Sequence, residues 1–398
     1  MHKLGFLHKR MAKACESIHA TRVVALFKAV AALLEGRKLT LTHLGRHLAS
    51  AAYCKHNIKC MDRLLGNEHL QRERLSIYRF IAESLLCMSE RPLIVVDWSD
   101  CPGHKMVMLK AAVPVGGRAL SLYAEVHPLK HYNKPWIHKA FLARLSELVP
   151  AWCRPIIVTD AGFQGPWFRA VEQLGWNWVG RVRGRVMYRA PGAGQWQWTK
   201  QLHGKATARA VSLGAVELAK SAPYGCWLYL MRGPKKYRLD RPWTREHGHN
   251  TVAERCRRMH KEPWLIASNL SPEQCRAKRV MAVYEQRMQI EETFRDIKSH
   301  RYGYGLDYSR TRDPKRLEIL LLIATLAMLA QWLMGLMAKE HGWMRHFQAN
   351  TVTNRAVLSL FFLGGQLLVS PRFELMPRDL ERAFGQLPML VAQQVPAA

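Results

Sequence analysis

The sequence predicts a mixed α/β protein that begins with an all-helical segment and ends with further helices. Two observations support this fold class. Short apolar, β-branched runs of the kind that form buried strands alternate with segments of helical periodicity through the middle of the chain. The 398 residues are 48% hydrophobic, which is enough for two or three domains with packed cores and excludes a disordered chain.

Residues 1–80 form the first predicted domain, and their pattern is helical. Apolar residues recur at helical spacing from Val23 to Leu33, and two short helices at about 41–49 and 55–65 follow. The pair outlines a helix-turn-helix DNA-binding domain, although generic helical hairpins share this pattern. The second helix is expected to expose five side chains suited to phosphates and base edges, namely Lys55, His56, Asn57, Lys59 and Arg63.

Residues 81–184 are the first part of the predicted α/β core. Three strand-like runs, consistent with an antiparallel meander, precede a helix, a strand, a helix and a further strand. In chain order these elements are expected at 93–97, 105–114, 119–127, 136–149, 155–160, 165–174 and 177–183.

Residues 185–260 are expected to be a β-rich basic insertion, because the stretch between Asp160 and Glu291 is far longer than one connection needs. Strand-like pieces occupy 209–219 and 225–231, and the end of the insertion is irregular and rich in Lys and Arg. A solvated basic loop is the plain alternative to a platform that grips DNA near the cleavage point.

Residues 261–345 complete the predicted core, and 346–398 form a C-terminal helical region. A strand is expected at 263–268, and helices are expected at 313–340, 351–368 and 378–386. The first of these helices is apolar over 20 residues apart from Thr325 and Gln331, so its length would allow a membrane span. We favour a buried core helix, because a span there would tie the neighbouring candidate site to a bilayer.

Three carboxylates are the candidate catalytic and metal-binding residues. Asp97 ends the strand-like run 93–96, Asp160 follows the run 156–159, and Glu291 belongs to a later helix. An Asp at the end of a strand is a common site residue in α/β sheets. Each of the three alone would be an ordinary turn, cap or solvated residue. Together they form a set of hard oxygen donors that suits two Mg²⁺ ions, or Mn²⁺, and phosphoryl transfer.

Glu291 lies within a spaced group of polar residues that the sequence places on one helical face. Tyr284, Arg287, Glu291 and Lys298 are separated by three, four and seven residues, which keeps them within roughly 60° on a single helix. A core-packing helix would carry apolar residues at these positions. A face with a carboxylate and two cations can hold a metal ion and a phosphate instead.

The charge of the chain points to DNA as the partner. Lys and Arg number 60 against 30 Asp and Glu, a formal net charge of +30. Membranes and acidic proteins are the other polyanionic partners, and the acidic triad argues against both. No phosphate-binding loop for ATP is present, and nine Cys without zinc-ligand spacing fit a reducing cytoplasm, with the protein associated with the nucleoid.

Several long segments of the chain resemble the DDE cut-and-paste transposases of bacterial insertion sequences, in the group marked by a Tyr-Arg-Glu-Lys signature. The resemblance covers almost the whole chain, and its Trp-rich blocks make chance agreement implausible. The blocks are LTLTHLGRHL (39–48), KHNIKCMDRLLGN (55–67), IVVDWSD (94–100), VTDAGFQGPW (158–167), KEPWLIASNL (261–270), YEQRMQIEETFRDIKS (284–299) and HFQANTV (346–352).

This resemblance implies an RNase H-like catalytic core, binding to the terminal inverted repeats of an element, and excision with integration into target DNA. Excision would proceed through a nick, a hairpin and its resolution, on two subunits paired across two DNA ends. The resemblance also matches Trp264 to a position where a related transposase stacks a flipped base, although a buried core Trp is an equal alternative. Two other functions stay open, a DNA-binding protein with a vestigial site and a stand-alone structure-specific nuclease.

Overall fold

The computed structural model describes residues 4–103, 105–233 and 262–394. The chain divides into two compact units. The first unit combines Met1–Pro155 with Gln286–Val395, and the second is built from Ile156–Glu285. Asp97 and Glu291 therefore belong to the first unit, whereas Asp160 belongs to the second.

The first unit begins with five helices. They are α1 (Gly5–Ala14), α2 (Ala20–Gly36), α3 (Leu41–Arg46), α4 (Cys54–Leu65) and α5 (Glu68–Leu86). Side-chain caps define several of their starts, since the Thr40 hydroxyl accepts a hydrogen bond from the backbone N–H of His43 and the Asn67 side chain accepts one from Leu70. The two short helices of the predicted helix-turn-helix are thus present as α3 and α4.

Three antiparallel strands and a helix follow in the same unit. They are β1 (Leu93–Asp100), β2 (Met106–Val115), β3 (Arg118–Pro128) and α6 (Pro135–Leu148). β2 lies between β1 and β3, so the predicted meander is confirmed. The predicted end of β1 at Asp97 is wrong, because the strand continues to Asp100 and Asp97 pairs with Lys110 inside the ladder.

The second unit is rich in strands. Its elements are β4 (Ile156–Thr159), α7 (Gly165–Gln173), β5 (Asn177–Arg181), β6 (Met187–Arg189), β7 (Gln197–Trp198), β8 (Val211–Leu218), β9 (Tyr224–Met231), β10 (Trp264–Ser268) and α8 (Ala277–Glu285). β4 pairs with β5 in parallel, and the order continues through β10, β9, β8, β6 and β7 with antiparallel pairs. The predicted strands at 209–219 and 225–231 are confirmed, and the irregular basic end of the predicted insertion lies outside the described residues.

The first unit is completed by C-terminal helices. They are α9 (Met288–Lys298), α10 (Pro314–Glu340), α11 (Met344–Phe347), α12 (Leu360–Val369) and α13 (Pro377–Ala392). The helix predicted over 351–368 is wrong in its first half, because α12 begins only after Ser359, whose hydroxyl accepts from the N–H of Phe362. The single signature helix is also wrong, since α8 ends at Glu285 and α9 begins at Met288.

α10 is the central helix of the first unit. Among the described residues it is the one helix long and apolar enough to cross a membrane, and its most apolar window is entirely buried. It packs against α2, α5, β3 and α12, which confirms the predicted core helix. It crosses α12 so closely that a Cβ added at Gly335 would lie 1.9 Å from the backbone oxygen of Leu360.

Candidate active site

Arg287 joins two of the predicted catalytic carboxylates inside the first unit. Its Nη1 donates to Oδ2 of Asp97 at 3.0 Å, and its Nη2 donates to Oε1 of Glu291 at 2.6 Å. The Arg287 and Asp97 side chains are nearly buried, whereas the Glu291 side chain is 45% exposed. One cation therefore already bridges the two carboxylates, and the bridge has an open side at Glu291.

The local structure explains how these side chains meet. Asp97 is held by its own strand, because the backbone N–H of Trp98 donates to its Oδ1 at 2.8 Å. Arg287 immediately precedes α9, and Glu291 lies in the first turn of that helix, where the helix dipole favours a negative charge. α9 packs on β1, β2 and β3, which brings its first turn over the strand that carries Asp97.

Asp160 follows β4 in the second unit, as the sequence predicts. Its Oδ1 accepts a hydrogen bond from the backbone N–H of Gly162 at 2.8 Å, so the carboxylate shapes the turn between β4 and α7. The residue is half-buried. Turn formation and metal binding are compatible uses of this side chain, because a carboxylate has two oxygens and several acceptor sites.

Tyr284 and Trp264 form a separate aromatic contact in the second unit. Their rings meet edge to face with centroids 5.3 Å apart, and the buried Arg181 guanidinium is hydrogen-bonded to Tyr284. Burial lowers the pKa of Arg181. Tyr284 is 4% exposed, whereas Trp264 is half-buried. Of these two predicted DNA contacts, Trp264 is therefore the one with a partly accessible ring.

Comparisons with known proteins decide the family. The sequence profile of the transposase DDE domain matches residues 90–329, which is more than half of the chain. The chain belongs to the DDE transposase family. No curated protein matches it. Among solved structures, the cryo-EM structure of the piggyBac transposase synaptic complex with hairpin DNA is similar at 10% identity and a TM-score of 0.42, covering 93% of this chain and 76% of that one.

The donor set of this transposase fits a divalent cation. DDE transposases generally use divalent metal ions. Two carboxylates that share one guanidinium stand close enough to share another cation, and carboxylate oxygens are the donors that Mg²⁺ and Mn²⁺ prefer. Among the residues that the structure describes, no group of three His, Cys, Asp or Glu side chains is arranged to hold a metal ion. The three-carboxylate ligand set thus stays a prediction.

The predicted DNA-reading helix of the transposase is α4. Lys55, His56, Lys59 and Arg63 are exposed on it. The exposure predicted for Asn57 is wrong, since this residue is 8% exposed and lies on the buried side with Met61 and Leu64 at helical spacing.

Sequence reasoning missed a second arginine–carboxylate cluster on α9. Arg118 at the start of β3 contacts the carboxylate of Asp296, whose side chain is 3% exposed, and lies 3.9 Å from Glu292. The hydroxyl of Thr293 also accepts from the backbone N–H of Ala119 at 2.8 Å. These contacts fix α9 against β3, and no local motif could reveal a pair that is 178 residues apart.

Lys110 in β2 was also missed. Its side chain is completely buried, and its ammonium donates to the Ser121 hydroxyl at 3.0 Å. Burial lowers the pKa of Lys110 to about 7. The available signal was a single lysine within the otherwise apolar run MVMLKAAVPV.

Proposed function

We propose that this transposase binds the terminal inverted repeats of an insertion sequence, excises the element and joins its 3′ ends to target DNA. It belongs, in this proposal, to the Tyr-Arg-Glu-Lys signature group and most resembles the transposase of the insertion sequence that flanks the tetracycline-resistance transposon. Excision proceeds through a nick, a hairpin and hairpin resolution. The protein acts in the cytoplasm, at the nucleoid, as a dimer on paired ends.

The Arg287 bridge between Asp97 and Glu291 is the observation that supports this proposal most. It joins a carboxylate from the middle of β1 to one from the first turn of α9, residues that are far apart in sequence. The side chain of Glu291 is 45% exposed, so this carboxylate is accessible from solvent. The open side leaves room for a scissile phosphate and its metal ions.

Each residue of the site then has a distinct task. Asp97, Asp160 and Glu291 would hold two Mg²⁺ or Mn²⁺ ions, and bound ions of this kind would supply Lewis acidity for the attacking water or 3′-hydroxyl and for the leaving oxygen. Arg287 keeps two of these carboxylates in place and offers a planar group suited to phosphate. Lys298, half-exposed in the last turn of α9, adds a second cation for the DNA backbone.

The other predicted DNA contacts divide between two tasks. The exposed cations on α4 contact phosphates and base edges of the terminal repeat. Trp264 stacks a base that leaves the helix when the hairpin forms, and the partly accessible ring is compatible with this role. Tyr284 supports Trp264 from the side through their edge-to-face contact.

The test is cleavage of a DNA duplex that carries the element's end and its flank, in Mg²⁺. We expect Asp97→Asn, Asp160→Asn and Glu291→Gln each to lower nicking and joining by ~10³-fold or more, about 4 kcal/mol in the transition state. Binding to the end should persist, because it belongs to other residues. Glu292→Gln is the matched control, since it removes the neighbouring carboxylate on the same helix and should retain activity.

Three outcomes would contradict the proposal. A triad variant that cuts at the wild-type rate removes that residue from the site. A wild-type protein that binds the end but never cuts it is a binding protein with a vestigial site. A wild-type protein that cuts branched or hairpin DNA but does not join ends is a structure-specific nuclease.

A further inference from the structure

An exposed group of aromatic and basic residues lies beside the catalytic strand in the first unit. We call it the basic aromatic surface and define it by Trp98, Leu129, Lys130, Tyr132, Lys134 and Trp136. Its aromatic members are unusually accessible, since Tyr132 is 45% and Trp136 is 58% exposed. Lys130 and Lys134 are exposed between them. A soluble protein gains nothing in stability from presenting such large apolar rings to water.

The charge of this region has a single sign. From residue 126 to residue 146 the chain contains no Asp or Glu. The same stretch contains seven Lys, Arg and His side chains, namely His127, Lys130, His131, Lys134, His138, Lys139 and Arg144. The buried Glu125 that precedes it is already paired with Arg144 and His127. The exposed part of the surface therefore complements a polyanion.

The surface is anchored to the strand that carries Asp97. Trp98, the next residue, meets the ring of Tyr132 edge to face with centroids 5.4 Å apart. The indole N–H of Trp98 donates to Nε2 of the buried His138 at 3.1 Å. Burial, together with nearby His127, lowers the pKa of His138 to about 4, so the imidazole stays neutral and accepts this bond. The rings of Trp98 and Tyr132 are thereby held in contact beside the strand that carries Asp97.

We propose that the basic aromatic surface binds target DNA during strand transfer, through phosphates and unstacked bases and without reading sequence. This inference rests on the function proposed above. Lysines contact phosphates as point charges, and aromatic rings stack on any base. Arg, which makes the commonest specific contact to guanine, is absent from residues 119–143. Recognition of a defined terminal repeat needs base-reading groups, whereas capture of varied target sites needs a surface of this kind.

The test uses the full-length protein with Tyr132→Ala and Trp136→Ala combined. Two reactions are measured, joining of a pre-cut element end to a plasmid of unrelated sequence and first-strand nicking of an end that still carries its flank. Losing stacking worth ~1–3 kcal/mol per base should slow joining by ~10-fold or more. Nicking should change by less than about twofold, because it occurs before target DNA is bound.

Two further variants make the result specific. Trp152→Ala removes another exposed Trp, 49% accessible, that lies beyond the opposite end of α6, and it should leave joining unchanged. Trp136→Phe keeps an aromatic ring and should restore most of the joining rate in a protein that retains Tyr132. Equal melting temperatures for all variants would show that the changes act at the surface and leave the fold intact.

Some results would overturn the inference. Unchanged joining in the double variant removes the surface from target binding. Equal loss of nicking and joining assigns it to the flanking donor DNA instead.

If the wild-type protein neither nicks nor joins, the proposed function fails, but binding of random-sequence duplex still tests the surface. Lys130→Ala with Lys134→Ala should then lower the salt dependence of binding by about two phosphate contacts, and an unchanged salt dependence would refute it.

Discussion

Two arginine–carboxylate clusters on α9 use the same chemistry and differ in access to water. In one, Arg287 bridges Asp97 and Glu291, and the Glu291 side chain is 45% exposed. In the other, Arg118 contacts Asp296, whose side chain is 3% exposed, and lies 3.9 Å from Glu292, whose side chain is 38% exposed and also pairs with Arg295. We call the second cluster closed, because the carboxylate that its arginine contacts directly is buried, and this pair fixes the helix against β3. The open cluster holds carboxylates where a cation or phosphate from solvent can reach them.

The comparison teaches that composition alone does not distinguish a brace from a site. Each cluster contains one Arg, one Asp and one Glu, and each connects the sheet to α9. The direct partners of the two arginines separate them. Arg287 donates to the exposed Glu291, whereas the direct partner of Arg118 is the buried Asp296, and a buried ion pair is costly to open. Replacing the guanidinium of an exposed ion pair by another cation costs little free energy.

Arg118→Met should have the largest effect on stability and would break the closed cluster. It leaves the buried carboxylate of Asp296 without its partner, which we expect to cost about 3–5 kcal/mol of unfolding free energy. Urea denaturation at pH 7 measures this loss. The double variant with Asp296→Leu should recover much of it, because no buried charge remains. A loss below about 1 kcal/mol for Arg118→Met would show that the cluster is not a brace.

Lys110→Met should stabilise the protein. It extends the comparison to a buried lysine that pairs with a hydroxyl, that of Ser121, and for which the described residues show no carboxylate partner. The pKa of Lys110 is lowered by burial from its ordinary 10.5 to about 7. Burial of this lysine therefore costs no stability above pH 10.5, where it is also neutral in the unfolded chain, and the cost grows as the pH falls toward 7. The variant should gain roughly 1–4 kcal/mol at pH 7, and this advantage should shrink as the pH rises.

Unfolding free energies of the wild-type protein and Lys110→Met, measured between pH 7 and 10, check this prediction. A Leu substitution at another buried position of the same strand, Val113→Leu, serves as the control for repacking of β2, since it changes volume without removing a charge. If the difference between wild type and Lys110→Met is constant over this pH range, the buried lysine does not titrate as expected.

Mg²⁺ bound at the open cluster should raise the unfolding free energy of the protein by a smaller amount. At ten times the dissociation constant a bound ion adds about 1.4 kcal/mol, which raises the melting temperature by a few degrees. Asp97→Asn should abolish this increase, whereas Asp296→Asn should retain it on a lower baseline. The melting temperature of each variant with Mg²⁺ and with EDTA measures the difference. Equal increases in both variants would place the ion elsewhere.

Local pattern was enough to predict many elements but not their pairing. The apolar runs of β1 and β4 and the apolar helix α10 follow from composition, because burial dictates residue type directly. The break at residues 286–287 was not predicted, since neither Gly nor Pro marks it and tertiary contacts decide where α8 gives way to α9. Asn57 was misplaced because a polar residue on the buried side of a helix leaves no periodic signal.

The candidate site was predictable in part. Asp97 and Glu291 were expected to meet, and the structure places them around one guanidinium. The role of Arg287 as the bridge was not foreseen, because it depends on how α9 lies over β1. The contacts of Arg118 and Lys110 were not predicted either, because they too depend on tertiary structure. The carboxylate partner of Arg118 is far away in the sequence, and the hydroxyl partner of Lys110 lies on the next strand.

The position of α10 in the chain has a consequence for biosynthesis. A 20-residue apolar helix leaving the ribosome is the kind of segment that membrane-targeting factors and aggregating partners capture. Three of the elements that cover α10 (α2, α5 and β3) precede it in sequence, and α12 follows it within about 20 residues. Part of its binding surface therefore exists before the helix is synthesised, and the rest follows with α12 and α13. The order of elements along the chain lets this segment begin to pack against the earlier elements as it emerges, before α12 completes its burial.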